Sequence, residues 1–317
     1  MRYRQVLFTI FLLIWLSSIA SAQTPASARK SFQQGQKNYE QGNLDLAYEN
    51  FSRAIEISSR LDKPKPVPAD RLSAGNSFDS PSDVDRITVI DPFTALAYTS
   101  RGLVRLKQSD FIGAIGDFNA AIRISPRLAE AYVSRGVAYR LKGEMANAIA
   151  DFDRAISLDN KLSAAYIDRA DTRIELRDLD GAQQDLERAL ALNPRAPEAL
   201  YQLGYVQLQK GDLASSKKNL DLAIELKPDL AAAYHARGTI FMKLADFDHA
   251  LSDFNQALAI KEELPITYMN RGLLRLLKGN DAEAEKDFER CLALSPALKS
   301  DLEKRIALAK EMRESKP

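Results

Sequence analysis

Cys291 is the one side chain whose type suggests covalent chemistry, and His235 and His249 are the two histidines that could serve it as a base. A thiol and an imidazole brought together would make a thiolate nucleophile. A second set is larger and regular. Arginine recurs at Arg101, Arg135, Arg169, Arg237 and Arg271, and aspartate stands sixteen residues after each, at Asp117, Asp151, Asp185, Asp253 and Asp287. A row of guanidinium groups suits an acidic peptide or an anionic polymer, whereas arginines matched one for one with aspartates suit ion pairs. No zinc-protease histidine pair, phosphate-binding glycine loop or nucleophile elbow occurs. One cysteine leaves no internal disulfide, no cysteine-rich zinc site and no iron–sulfur cluster. No metal and no cofactor is expected.

What must position these residues is a repeat. Gly102, Gly136, Gly204, Gly238 and Gly272 lie on one 34-residue grid, with Ala170 in the remaining place. Twelve residues on stand Ala114, Ala148, Ala182, Ser216, Ala250 and Ala284. Four further come Phe118, Phe152, Leu186, Leu220, Phe254 and Phe288, and then Ala121, Ala155, Ala189, Ala223, Ala257 and Cys291. Cys291 therefore fills a small buried place that is alanine in the other units, which accounts for it without catalysis. Each unit carries two amphipathic helical stretches, such as 129–141 and 144–158, split by a polar turn at Lys142 and Gly143. The small residues imply that two backbones cross closely there. One such pair cannot bury its apolar faces alone, so neighbouring pairs must stack.

This pattern resembles the tetratricopeptide repeat, with tyrosine or leucine at the family's tryptophan position (Tyr98, Tyr132, Tyr166, Leu200, Tyr234, Tyr268). The resemblance implies an all-α, right-handed α-solenoid of stacked helix-turn-helix repeats. The repeats fall at 28–61, 95–128, 129–162, 163–196, 197–230, 231–264 and 265–298, with a C-terminal capping helix and tail at 299–317. In the first, Gly35, Ala47, Phe51 and Ala54 hold the same relative places. Residues 62–94 break the grid with Pro64, Pro66, Pro68 and Pro81, and read as an excursion, either a solvated loop or a lid. The first repeat is expected to stack directly on the second.

The arginines and aspartates vanish together as well. Where the arginine place holds Gln34 or Leu203, the aspartate place holds Asn50 or Asn219. That matching favours structural ion pairs within each unit over an anion site. The family's clamp for carboxylate-ended peptides needs lysine and asparagine on the groove face of successive first helices. The matching positions here include Leu103, Leu106, Val137, Arg140, Ile167, Asp171, Ile174, Tyr201, Tyr205, Leu208, His235, Met242, Met269 and Leu273. This is a mostly apolar strip, expected to hold an apolar helix or extended segment of a partner protein. The expected role is a scaffold or adaptor without catalysis. The alternative is an envelope assembly factor that binds glycan or another anionic polymer.

The chain has 317 residues, 45% apolar and 27% charged, too charged for a multi-span membrane protein and too apolar for a disordered one. Residues 1–22 read as a cleaved secretory signal: Arg2 and Arg4, an apolar run from Val6 to Leu16, and Ala20-Ser21-Ala22 before Gln23. The run falls short of the roughly 20 residues a membrane span needs. Lys+Arg is 44 and Asp+Glu 43, so removing Arg2 and Arg4 leaves 42 against 43, a net of −1. No basic excess exists to grip nucleic acid. The repeat type resembles bacterial ones, which implies the periplasm or secretion, with no membrane span after cleavage.

Overall fold

The computed structural model describes residues 24–59 and 92–314. The leader at 1–22, and all but the last three residues of the excursion at 62–94, lie outside the described residues. Within them the chain forms fifteen α-helices and no strand. The helices come in pairs: α1 (Ala26–Glu40) with α2 (Leu44–Ser59), α3 (Pro92–Lys107) with α4 (Phe111–Ile124), and α5 (Ala129–Lys142) with α6 (Met145–Leu158). Then follow α7 (Ser163–Glu175), α8 (Leu179–Leu192), α9 (Pro197–Lys210), α10 (Leu213–Leu226), α11 (Ala231–Lys243), α12 (Phe247–Ile260), α13 (Pro265–Leu277) and α14 (Asp281–Leu294). A 3-10 turn (Pro296–Leu298) leads into α15 (Lys299–Glu314). Helix α3 begins three residues before the expected repeat start, because proline is tolerated at the first helical position, where its missing N–H is not needed.

Two compact units divide the chain between Thr172 and Arg173, inside α7. In the first, each pair packs within itself, and α2 packs on α3 and α4 on α5. The stacking of α2 on α3 joins the first hairpin to the second across the excursion. Phe32 anchors that junction, its ring centroid 5.3 Å from both Phe51 and Phe93. In the second unit every helix from α8 to α13 packs on the next, and α15 rests on α13. Leu302 and Ala309 of α15 are buried in one cluster with Met269, Leu273 and Leu276, so α15 covers the last hairpin as a cap.

The grid's small and large residues meet inside each hairpin. Ala114, Ala148 and Ala250 have no exposed surface, nor have Phe118, Phe152 and Phe254. A β-carbon added at Gly102, Gly136 or Gly238 would stand 2.6, 2.7 or 2.8 Å from the ring of Phe118, Phe152 or Phe254. The glycine is thus demanded chiefly by an aromatic ring lying on the opposite helix, not by a backbone crossing. The phenylalanine fills the space between the two helices of its own hairpin, and Phe254 also packs against Leu274 of the next.

Several second helices start on aspartate caps. Asp110, Asp178 and Asp212 accept from the backbone N–H three residues on, at 2.9, 3.0 and 3.1 Å. The turn between paired helices places one residue in the left-handed region. Gly42, Gly143, Gly211 and Gly279 hold it in some hairpins, and Ser109, Arg177 and Ala245 in the others.

Candidate functional site

In the first unit Arg101 donates from Nε and Nη2 to the two oxygens of Asp117, at 3.0 and 2.7 Å, and Arg135 to Asp151 at 2.8 and 2.7 Å. In the second unit Arg237 grips Asp253 at 2.8 and 2.7 Å, and Arg271 grips Asp287 at 2.9 and 2.6 Å. These are fork-to-fork pairs on carboxylates that are themselves buried. Arg169 lies in the first unit, where its Nη1 donates to Asp153 at 2.5 Å; Asp185, in the second, accepts from Arg173 at 2.6 Å.

The remaining guanidinium nitrogen does something the sequence pattern did not reveal. Nη1 reaches back to the preceding hairpin: from Arg101 to Ser52 at 3.2 Å, Arg135 to Asn119 at 2.6 Å, Arg237 to Asp221 at 2.8 Å and Arg271 to Asn255 at 2.8 Å. Each arginine is therefore a staple within its hairpin and a strut to the one before. The tyrosine three residues earlier lies beneath the guanidinium, with Arg101 5.3 Å from the Tyr98 ring, Arg135 5.6 Å from Tyr132, Arg237 5.6 Å from Tyr234 and Arg271 5.4 Å from Tyr268. The bond to Asp151 is the first cause holding Arg135 above its ordinary value, and Asp253 does the same for Arg237. A second arginine joins some sites, Arg105 on Asp117 at 2.9 Å and Arg275 on Asp287 at 2.8 Å. Where the ladder lacks arginine, Leu203 is buried and Asn219 bonds instead to Gln207 at 2.8 Å. An incoming anion would have to displace carboxylates already held by two bonds.

The apolar strip is mostly interior. Leu103, Leu106 and Val137 of the first unit are buried, as are Leu208, Met269 and Leu273 of the second, and Asp171 is buried too. The expectation of an open groove at these positions is corrected by packing. First helices touch one another, α3 with α5, α9 with α11 and α11 with α13, which leaves less of their faces open to a partner. What stays partly exposed is Arg140 and Ile167 in the first unit, and Ile174, Tyr201, Tyr205, His235 and Met242 in the second. Tyr201 and Tyr205 lie on one face of α9 with ring centroids 6.5 Å apart.

Cys291 is buried, and burial pushes its thiol up, away from the thiolate. The histidines bond elsewhere, His235 Nδ1 with Thr267 Oγ1 at 2.9 Å and His249 Nδ1 with Asp246 at 2.8 Å. Among the described residues no group of three or more His, Cys, Asp or Glu could hold a metal ion. Among them, too, no helix is long and apolar enough to cross a membrane.

Sequence models of the tetratricopeptide repeat match residues 95–163 and 167–231, and again 231–264 and 266–298. A chain in the crystal structure of the APC/C hetero-tetramer Cut9–Hcn1 is similar over 83% of this chain, with a TM-score of 0.62 and 20% identity, and this chain spans 55% of its length. A tetratricopeptide repeat protein from Parabacteroides merdae is similar over 90% of this chain and all of its own, with a TM-score of 0.59 and 17% identity. Pseudomonas aeruginosa pilF is similar over 64% of this chain and 92% of its own, with a TM-score of 0.59 and 18% identity. At such identities the likeness is one of fold. No curated protein matches the sequence.

Proposed function

This chain belongs to the tetratricopeptide repeat family, and on that premise we propose that it is a non-catalytic scaffold whose second unit captures a partner protein through an apolar segment. The observation that carries this reading is the pair Tyr201 and Tyr205, partly exposed on α9 while the matching Leu103, Val137, Met269 and Leu273 are buried. Aromatic rings that keep a polar hydroxyl tolerate water in the free protein and still contribute strongly once a partner covers them. Met242 on α11, at the place that Leu208 holds one turn beyond the tyrosines, is partly exposed and adds an adaptable apolar contact. The arginine ladder supports the same reading from the other side, since its guanidinium groups are already held by carboxylates.

Replacing Tyr201 and Tyr205 together by alanine is expected to weaken partner capture at least tenfold, with helicity and melting nearly unchanged. Rings that served as core would instead cost roughly 3–5 kcal/mol each, and a collapsed melt would remove them from the binding face. The proposed compartment is the periplasm or the medium, supported by the leader sequence. The exported protein should then begin at Gln23, and an intact Met1 on membrane-bound material would contradict this.

A further inference from the structure

His235 sits where helices of the second unit meet. It lies on α11, bonds through Nδ1 to Thr267 Oγ1 of α13 at 2.9 Å, and its ring centroid is 5.8 Å from that of Phe254 on α12. His235 keeps a partly exposed edge, but most of the ring is covered by these helices, and that burial lowers the imidazole from 6.5 to about 4. Helix α11 packs on α9, α10, α12 and α13, and most of the charged groups those helices bring are engaged with one another, while Lys218 and Glu225 of α10 are exposed. Glu198 of α9 holds Lys227, and Lys210 holds Asp180. Asp221 of α10 is shared by Lys217 and Arg237, while Asp253 of α12 is held by Arg237. On α13, Arg271 and Arg275 both go to Asp287. The phenols of Tyr201, Tyr205 and Tyr268 complete the set on α9 and α13, with Tyr234 and Lys243 on α11 itself. Burial is the sole cause of the shift, so none of these groups compensates a charge on the ring.

We propose that the junction of α11 with α13 is an acid-sensitive latch, in which protonation of the enclosed His235 ring loosens the terminal hairpin α13–α14 and its cap α15. The Thr267 hydroxyl can donate to the neutral ring or accept from the charged one, so that bond survives protonation. The cost arises from holding an unpaired charge among Phe254 and its apolar neighbours. The unfolded chain takes the proton more readily than the folded one. The stability contributed by neutral His235 is therefore complete above pH 6.5, falls as pH drops through the window from 6.5 to about 4, and changes no further below it. The latch acts within the fold and does not depend on what the exposed face binds.

Native-state hydrogen exchange on the amides of α13–α15, corrected for intrinsic rates, reads the opening equilibrium directly. Between pH 7 and pH 5 it should rise about 20-fold more in the wild-type chain than in His235→Gln. The exposed histidine provides a control, and His249→Gln should keep the wild-type response. Equal pH dependence in wild type and His235→Gln would overturn the latch. So would an imidazole that titrates near 6.5 when followed by NMR in the wild-type chain, a measurement that decides the matter even if His235→Gln does not fold.

Discussion

Truncating Phe152 to alanine is expected to destabilise the first unit by roughly 3–5 kcal/mol, the range for emptying a buried aromatic site. The ring has no exposed surface, and it occupies the space that a β-carbon on Gly136 would enter, 2.7 Å away. Nothing on the facing helix can move in to fill the cavity, because the residue there is glycine. Partial refilling is possible by design. The repeat whose sequence has alanine at this place, Ala170, has leucine rather than phenylalanine sixteen residues on, at Leu186. Phe152→Leu combined with Gly136→Ala should therefore cost less than the two single changes summed, by about 1 kcal/mol or more. Denaturant unfolding of the four proteins measures this. Strict additivity would mean that the ring and the glycine do not share one site.

Removing Asp117 is expected to cost about 2–3 kcal/mol. The carboxylate is 3% exposed and accepts from Arg101 and Arg105 together. Without it Arg101 keeps the neutral Ser52, and Arg105 keeps the Tyr48 hydroxyl, the Gly113 carbonyl and a looser pair with the exposed Asp110 at 3.6 Å. Breaking a fully buried pair costs roughly 3–5 kcal/mol, and the lower figure is expected because both guanidinium groups keep an edge in water. The comparison that isolates the charge is Asn50→Ala at the matching place of the first hairpin. Asn50 donates to its own helix at Leu46, and its loss should cost under about 0.5 kcal/mol. Equal effects at the two positions would deny the ladder any role in stability.

The helix pairs and the within-hairpin arginine–aspartate pairs were legible because both leave a periodic trace. A glycine opposite a phenylalanine, or an arginine sixteen residues before an aspartate, fixes one residue type at each place. The strut to the preceding hairpin leaves no such trace. Ser52, Asn119, Asp153, Asp221 and Asn255 all accept the same Nη1, and any short acceptor serves. The turn residue hides for a similar reason, since Ser109, Arg177 and Ala245 adopt the left-handed conformation that glycine holds elsewhere. The apolar strip misled in the opposite direction. Its residue types do not distinguish a face open to a partner from one covered by the next first helix. Leu103 and Met269 turned out covered, whereas Tyr201 and Tyr205 kept an edge in water.

Photo-crosslinking is the most direct test of partner capture by the second unit. A photo-reactive phenylalanine replacing Tyr205 is compared with one replacing the exposed Glu285 on α14, each irradiated in cells that express the full chain. A discrete covalent adduct with a second polypeptide is expected from position 205 and not from position 285. Adducts from position 285 alone, or equal adducts from both, would contradict capture through the α9 face.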